Sequence, residues 1–120
     1  MADSLYERLG SSGGVTQIAS DALDNHLANP RVKARYENLE NLEAVRQGAA
    51  NFFISATGGP DVYEGKDMLE THKGMNIDEA EFMAVVDDIL DALEKNSIEQ
   101  REQEEVLFAL YSMRREIVLV

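Results

Sequence analysis

The sequence predicts an all-α fold, and three observations support that prediction. Apolar residues recur at three- and four-residue spacing in four separate segments, which is the periodicity of a helix with one buried face. No segment alternates apolar and polar residues as a half-buried strand does. Glycine, proline and capping sequences fall between the segments, where helices are expected to begin or end. Four such helices must pack against one another to bury their apolar faces.

The N-terminal part of the chain predicts a short turn followed by a helix. An amphipathic turn around Leu5 is expected to stop at the glycine-rich run 10–14. The first long helix then starts at Val15, because apolar residues follow it at helical spacing for about three turns. It should end near Asn29, because the residue before Pro30 avoids helical angles.

The middle of the chain predicts one long helix and one short one. Residues 31–41 are mostly polar and predict a turn or a single helical turn. Residues 42–56 carry a helical apolar face, which the Gly-Gly-Pro run at 58–60 closes. An extended stretch at 60–65 then leads into a short helix that Gly74 terminates.

Two capping sequences mark the last two helices. Asp78 with Glu81 is a capping-box arrangement at the start of a strongly amphipathic helix over 82–93. Ser97 with Gln100 repeats the arrangement and predicts the start of the final helix. The inner face of that helix is expected to consist of Val106, Leu107, Leu110, Tyr111, Met113 and Ile117.

Composition limits the classes of function. A chain of 120 residues predicts one domain, residues 1–120, with space for a modest core and one embedded cofactor. The formal charge of −12 disfavours binding to nucleic acid or to anionic membrane surfaces. With no cysteine and two histidines, disulfides, zinc-thiolate sites and iron–sulfur clusters are excluded. The start of the chain lacks the features of a secretory signal, and we expect a cytoplasmic protein.

His72 is the principal candidate for a functional side chain. Met68 and Leu69 precede it by four and three residues, so a helix would place all three on one face. Such a histidine can be a core residue whose ring nitrogens bond to backbone carbonyls. It can also be an axial ligand to haem iron, with its apolar neighbours packed on the porphyrin. Spacing alone leaves both interpretations open.

Three separated segments resemble a known family. They are SLYERLG at residues 4–10, GGPDVYEGKDMLETHKG at 58–74 and EEVLFALYSMRREIV at 104–118. Together, in this order, they resemble the group I truncated haemoglobins, and the similarity covers about residues 4–119. The resemblance implies a two-over-two helical sandwich around haem b (iron protoporphyrin IX). It also implies a diatomic gas ligand, a reductase as redox partner, and a monomer or weak dimer.

The resemblance further implies roles for individual residues. His72 would bind the iron through one ring nitrogen while the other donates to the carbonyl of Met68. Lys66 would pair with a haem propionate, or else be a solvated surface charge. The residues expected to contact the haem are Tyr36, Val45, Ala49, Phe53, Tyr63, Lys66, Met68, Leu69, His72, Ile77, Phe82 and Val85.

The distal side of the expected haem site departs from the family pattern. Relatives carry a Phe-Tyr pair late in the second helix, which aligns here with Ala22 and Leu23. Val45 and Ala49 stand where a glutamine often occurs, so Leu23, Val45 and Ala49 predict an apolar distal pocket. Without hydrogen-bond donors, dioxygen should be released quickly, whereas carbon monoxide and nitric oxide should bind comparatively well. His26 is either a second axial ligand or a histidine whose hydrogen bonds are satisfied internally.

The register of the distal helix has two solutions. One extra residue between positions 36 and 52, compared with relatives, allows Ala44 and Gly48 to replace Val45 and Ala49. Both registers give an apolar wall. Arg46 or Gln47 would restore polarity only if it turned towards the pocket.

The sequence is consistent with three functions. The leading one is a haem-binding globin that reversibly binds O2, CO or NO for storage, sensing or redox work, at a five-coordinate or water-ligated iron. The second is a globin-like interaction module that has lost its haem. The third is a haem enzyme that detoxifies nitric oxide, which an apolar distal pocket disfavours.

Overall fold

The structure of the protein, a computed structural model, describes residues 3–120. Its α-helices are α1 (Leu5–Arg8), α2 (Ser11–Ala28), α3 (Leu42–Ala56), α4 (Met68–His72), α5 (Glu79–Lys95) and α6 (Gln100–Ser112). Two 3-10 helices lie at Lys33–Arg35 and Arg114–Glu116. The described residues contain no β-strand, and the all-α prediction is confirmed.

The core forms around α2, which packs against both α3 and α5, while α6 packs on α5. The apolar faces predicted from helical spacing supply this core. Ala92 and Leu93 of α5 and Val15 of α2 are almost completely buried, and Val106 and Leu110 contribute from α6. Within residues 3–120, no helix is both long and apolar enough to cross a bilayer.

The predicted break over residues 10–14 is wrong in part, because α2 begins at Ser11. Gly10, with φ of 101°, and Ser11, with φ of 57°, make the turn, and helical geometry follows directly. A Cβ on Gly14 would lie 2.2 Å from the carbonyl oxygen of Leu9, so a glycine is required where α1 and α2 meet. Gly10 therefore serves the turn that ends α1, whereas Gly14 permits close packing inside α2.

The predicted cap of the last helix is also wrong. Ser97 has a φ of 61° and donates its backbone N–H to Glu94, which places it in the turn that ends α5. The N-cap of α6 is Glu99, which makes no side-chain capping bond. Tyr111, expected on the inner face, is 58% exposed, because α6 buries only a narrow face containing Val106 and Leu110.

The elements on either side of His72 agree with the sequence prediction. Asp78 caps α5 and forms the predicted capping box with Glu81. The short helix α4 ends at His72, and Gly74 follows in a left-handed conformation with φ of 81°. The chain around Gly74 is held by residues from the far end of the sequence, since its N–H donates to the carbonyl of Val120 over 3.0 Å.

Candidate functional site

A cavity of about 340 Å³ lies between the segment before α3, the helix α4 and the first turns of α5. Volumes of roughly 300–1,000 Å³ are typical of ligand pockets. Most of its wall is apolar. The lining residues are Val32, Arg35, Tyr36, Leu39, Val45, Thr71, His72, Met75, Ile77, Glu81, Phe82, Val85 and Ile117.

His72 presents a half-buried imidazole to this cavity. Its Nδ1 atom lies 2.8 Å from the carbonyl oxygen of Met68, as the sequence analysis predicted. A carbonyl oxygen only accepts, so Nδ1 carries the proton of the neutral ring and Nε2 keeps its lone pair. Asp67 caps α4 by accepting from the N–H of Glu70, which fixes the short helix that carries the histidine. The imidazole is therefore held in the tautomer that a metal ligand requires.

Six of the predicted contact residues line the cavity: Tyr36, Val45, His72, Ile77, Phe82 and Val85. The structure brings them together from four separate segments. Of the four α3 residues in the two registers considered, Val45 lines the cavity, whereas Ala49, Ala44 and Gly48 do not.

The other predicted residues do not line the cavity. Leu23 is buried within α2, whereas Lys66 and Leu69 are exposed. Ala49 and Phe53 are half-buried on α3 beyond the cavity wall, and Met68 is half-buried at the start of α4.

Tyr63 stabilises the chain that leads into α4. Its hydroxyl donates to the carbonyl oxygen of Lys66 over 2.7 Å, and its ring packs edge-on against Phe52, with centroids 5.3 Å apart. A Cβ on Gly65 would lie 2.4 Å from the Tyr63 hydroxyl, so a larger residue at position 65 would displace the ring from this turn. Tyr63 thus positions α4 without lining the cavity.

An ionic bridge that the sequence analysis missed lies in the cavity wall. Arg35 pairs with both carboxylate oxygens of Glu81, at 2.8 and 3.1 Å, and donates to the carbonyl of Met75 over 2.7 Å. Its hydrogen bonds to Glu81 raise the pKa of Arg35, so the guanidinium stays charged. From the sequence, Glu81 was assigned only to the capping box of α5. That assignment gave no indication of its ion pair with Arg35.

A buried polar cluster lies behind Tyr36. His26 contacts Asp88 through Nδ1 at 2.7 Å, and the Asn29 amide donates to both oxygens of Asp88 at 3.1 Å. The ring of His26 stacks on Tyr36, with centroids 5.0 Å apart and planes 19° from parallel. Burial, and then the charge of Asp88, raise the pKa of the Tyr36 hydroxyl. His26 is satisfied internally and does not line the cavity.

The polar residues of α3 turn away from the cavity. Arg46 donates to the backbone carbonyl and hydroxyl of Ser20 and to the carboxylate of Asp24, which fastens α3 to α2. Gln47 is exposed and donates to Asn51. The contribution of α3 to the cavity wall is therefore the apolar side chain of Val45.

The side chains that line the cavity suit a metal ion that is already bound in an organic macrocycle. Over the described part of the chain, no group of three or more His, Asp or Glu side chains is placed to hold a bare ion. One imidazole with a free Nε2 and broad apolar walls instead fit a flat, largely apolar macrocycle whose metal already has its equatorial ligands.

Comparison with known proteins shows the family to which the chain belongs. The family described as "Bacterial-like globin" matches residues 4–118. The "Group 1 truncated hemoglobin" of Tetrahymena thermophila is 31% identical over 76% of this chain and 74% of its own length. "Group 1 truncated hemoglobin GlbN" of Mycolicibacterium paratuberculosis is 25% identical over 95% of this chain and 83% of its own.

Solved structures show the same relationship. Truncated hemoglobin from Tetrahymena pyriformis in its Fe(III) form superposes with a TM-score of 0.92, at 25% identity, over 97% of this chain and 98% of that one. The predicted truncated-globin architecture, with two helices packed over two, is thereby confirmed. The chain belongs to the bacterial-like globin family, and within it to the truncated haemoglobins.

Proposed function

We propose that this chain binds haem b in the cavity, with His72 as the iron ligand, and that the complex reversibly binds a diatomic gas. Membership of the globin family implies haem binding. The observation that carries the assignment to His72 is the bond from its Nδ1 to the carbonyl of Met68, which leaves Nε2 as a free electron-pair donor in a mostly apolar cavity.

When bound, haem supplies an open coordination position at which O2, CO or NO is held. The residues of the chain determine the surroundings of that position. Tyr36, Phe82 and Val85 provide apolar surface for the porphyrin and exclude water. Val45 offers no hydrogen-bond donor, and Arg46 and Gln47 are engaged elsewhere. We therefore propose rapid release of O2 and comparatively strong binding of CO and NO, in a binding, sensing or redox role.

The remaining parts of the proposal concern the whole protein. Residues 1–120 form one truncated-globin domain, of which the first two residues lie outside the described part. The formal charge of −12 disfavours nucleic acid and anionic membranes as partners. We propose a cytoplasmic monomer or weak dimer whose iron is reduced by a separate reductase.

Reconstitution with hemin tests the function and its ligand together. The wild-type protein should acquire a Soret band, and His72→Gly should lose it while its far-ultraviolet circular dichroism stays helical. Free imidazole added to His72→Gly should restore the band, because it can occupy the space that the side chain left. Lys73→Ala, which removes an exposed neighbour of His72, is the matched control and should behave as wild type.

Two outcomes would reject the proposal. A wild-type protein that stays colourless and gains no stability from hemin would favour the interaction module without haem. An unchanged Soret band in His72→Gly without imidazole would remove His72 as the ligand.

A further inference from the structure

Arg35 has an unusual position for a charged residue, because it lies in the wall of an apolar cavity. Of the lining residues in the described part of the chain, it is the only arginine or lysine. Lys66, to which the sequence analysis assigned the haem propionate, is exposed and does not line the cavity. Among the lining residues, Arg35 is thus the available cationic group.

The hydrogen bonds of Arg35 leave part of its guanidinium available. Nε and Nη2 donate to Glu81, and Nη1 donates to the backbone carbonyl of Met75. A guanidinium has five N–H groups, so the three bonds leave one N–H on each Nη atom. With 31% of its side chain exposed, Arg35 is accessible at the rim as well as part of the wall.

The bonds from Arg35 to Glu81 and Met75 also preorganise the guanidinium for binding a carboxylate. Glu81 and Met75 hold the group at three points, so little side-chain entropy remains to be lost when a ligand binds. Planar guanidinium N–H groups match the geometry of a carboxylate. The carboxylate of Glu81, with Asp78 also acting on Arg35, balances the positive charge and limits the attraction for an anion.

We propose that Arg35, and not Lys66, binds a propionate carboxylate of the haem. This inference rests on the proposed function and adds the residue that recognises the ionic edge of the cofactor. Glu81 is a positioning residue: it orients the guanidinium and moderates its charge.

The test measures the rate of hemin loss to an excess of apomyoglobin, with hemin and with hemin dimethyl ester, whose carboxylates are masked. Wild type should release the ester roughly tenfold faster than hemin, because a charge-assisted bond at a partly exposed site is lost. Arg35→Met should release both at the same fast rate. Lys66→Met is the control and should keep the wild-type difference between the two ligands.

Glu81→Gln separates recognition of the carboxylate from a purely structural bridge. Removing the negative charge frees more of the Arg35 charge for the ligand, so this variant should hold hemin at least as tightly as wild type, with a larger difference from the ester. If the ion pair between Arg35 and Glu81 only stabilised the fold, Glu81→Gln would weaken that ion pair. Hemin and its ester would then both leave faster by the same factor. That result would overturn the proposal.

The outcomes distinguish this inference from the proposed function. A wild-type protein that binds no hemin rejects the proposed function itself. A wild-type protein that binds hemin, combined with an undiminished ester effect in Arg35→Met, rejects only the role of Arg35. If Arg35→Met does not fold, Glu81→Gln and Arg35→Lys decide the matter, and Arg35→Lys should keep part of the ester effect.

Discussion

Asp88 is a buried carboxylate on α5 whose oxygens accept hydrogen bonds from two α2-side residues. It contacts the imidazole of His26 at 2.7 Å and accepts from the amide of Asn29. The cluster supports the ring of Tyr36, which stacks on His26 and faces the cavity. One carboxylate therefore connects the core of the helical sandwich to the wall of the ligand site.

Replacing Asp88 should show how much this cluster contributes to the free energy of unfolding. Asp88→Ala leaves the donors of His26 and Asn29 without an acceptor, and should lower the free energy of unfolding by about 2–4 kcal/mol. Urea denaturation at pH 7 measures the change. Asp87→Ala removes the exposed neighbouring carboxylate and should cost much less. Equal losses in the two variants would contradict the assigned role of the cluster.

Val45 allows a second prediction at the level of a single side chain. Val45→Gln introduces a hydrogen-bond donor into the cavity wall, and should slow release of O2 from the reduced, hemin-loaded protein by about two- to tenfold. Stopped-flow absorbance measures the rate. Val45→Leu, which keeps the wall apolar, should release O2 about as fast as wild type. A glutamine variant as fast as Val45→Leu would show that position 45 does not reach the bound gas.

The helices α2 and α5 are joined at a second point by Asp21. Asp21 is buried on α2 and accepts from Asn96 at the end of α5 over 2.9 Å, with Gln17 and Lys95 also in contact. Burial favours the neutral form. The hydrogen bonds from Asn96 and Gln17, with the charge of Lys95, outweigh that effect and hold the pKa of Asp21 below its ordinary value of 3.8.

The lowered pKa gives a pH-dependent prediction for this helix pair. A depressed pKa in the folded state adds stability above the ordinary pKa, and that stability is lost as the pH falls through the folded-state pKa. Asp21→Asn should therefore destabilise the protein at pH 7, and the difference from wild type should shrink below about pH 4. Urea unfolding between pH 7 and 3 measures it, with the exposed Asp91→Asn as the matched control. A difference that stayed constant over this range would remove the ionic contribution of Asp21.

At the scale of the whole molecule, ligand binding and folding should be coupled. The cavity leaves a void of about 340 Å³ beside the core, which a bound porphyrin would fill. Free hemin at about 100 times its dissociation constant should add about 2.7 kcal/mol of stability and raise the melting temperature by roughly 10 °C. Differential scanning calorimetry with and without hemin measures the shift. His72→Gly should show a much smaller rise, and an equal rise would argue for binding elsewhere.

The sequence predicted the helices well where periodicity and capping agree. The amphipathic face of α5 and its Asp78 capping box are local properties, and both are confirmed. Residues 10–14 were misjudged because glycines that end a helix and glycines that allow close packing look alike in sequence. Ser97 was misjudged because its role in the turn after α5 depends on a left-handed backbone angle.

The site was predictable in part, because only contacts between residues close together in the chain can be inferred from spacing. His72 and its bond to Met68 follow from spacing within one helical turn. The bridge from Arg35 to Glu81 joins residues that are far apart in the chain, so neither side chain signals it alone. The resemblance to truncated haemoglobins suggested Lys66 as the cationic partner, but only the folded chain shows which basic side chain lines the cavity.

Ile117 contributes to the same wall as Val32, and the N–H of Leu119 donates to the carbonyl of Ile77. The cavity is thus completed by a segment that follows α6 in the chain. A nascent chain that has already emerged through α5 still lacks one side of the pocket. The pocket can therefore take its final shape only after this segment has packed back against the chain around Ile77 and Gly74.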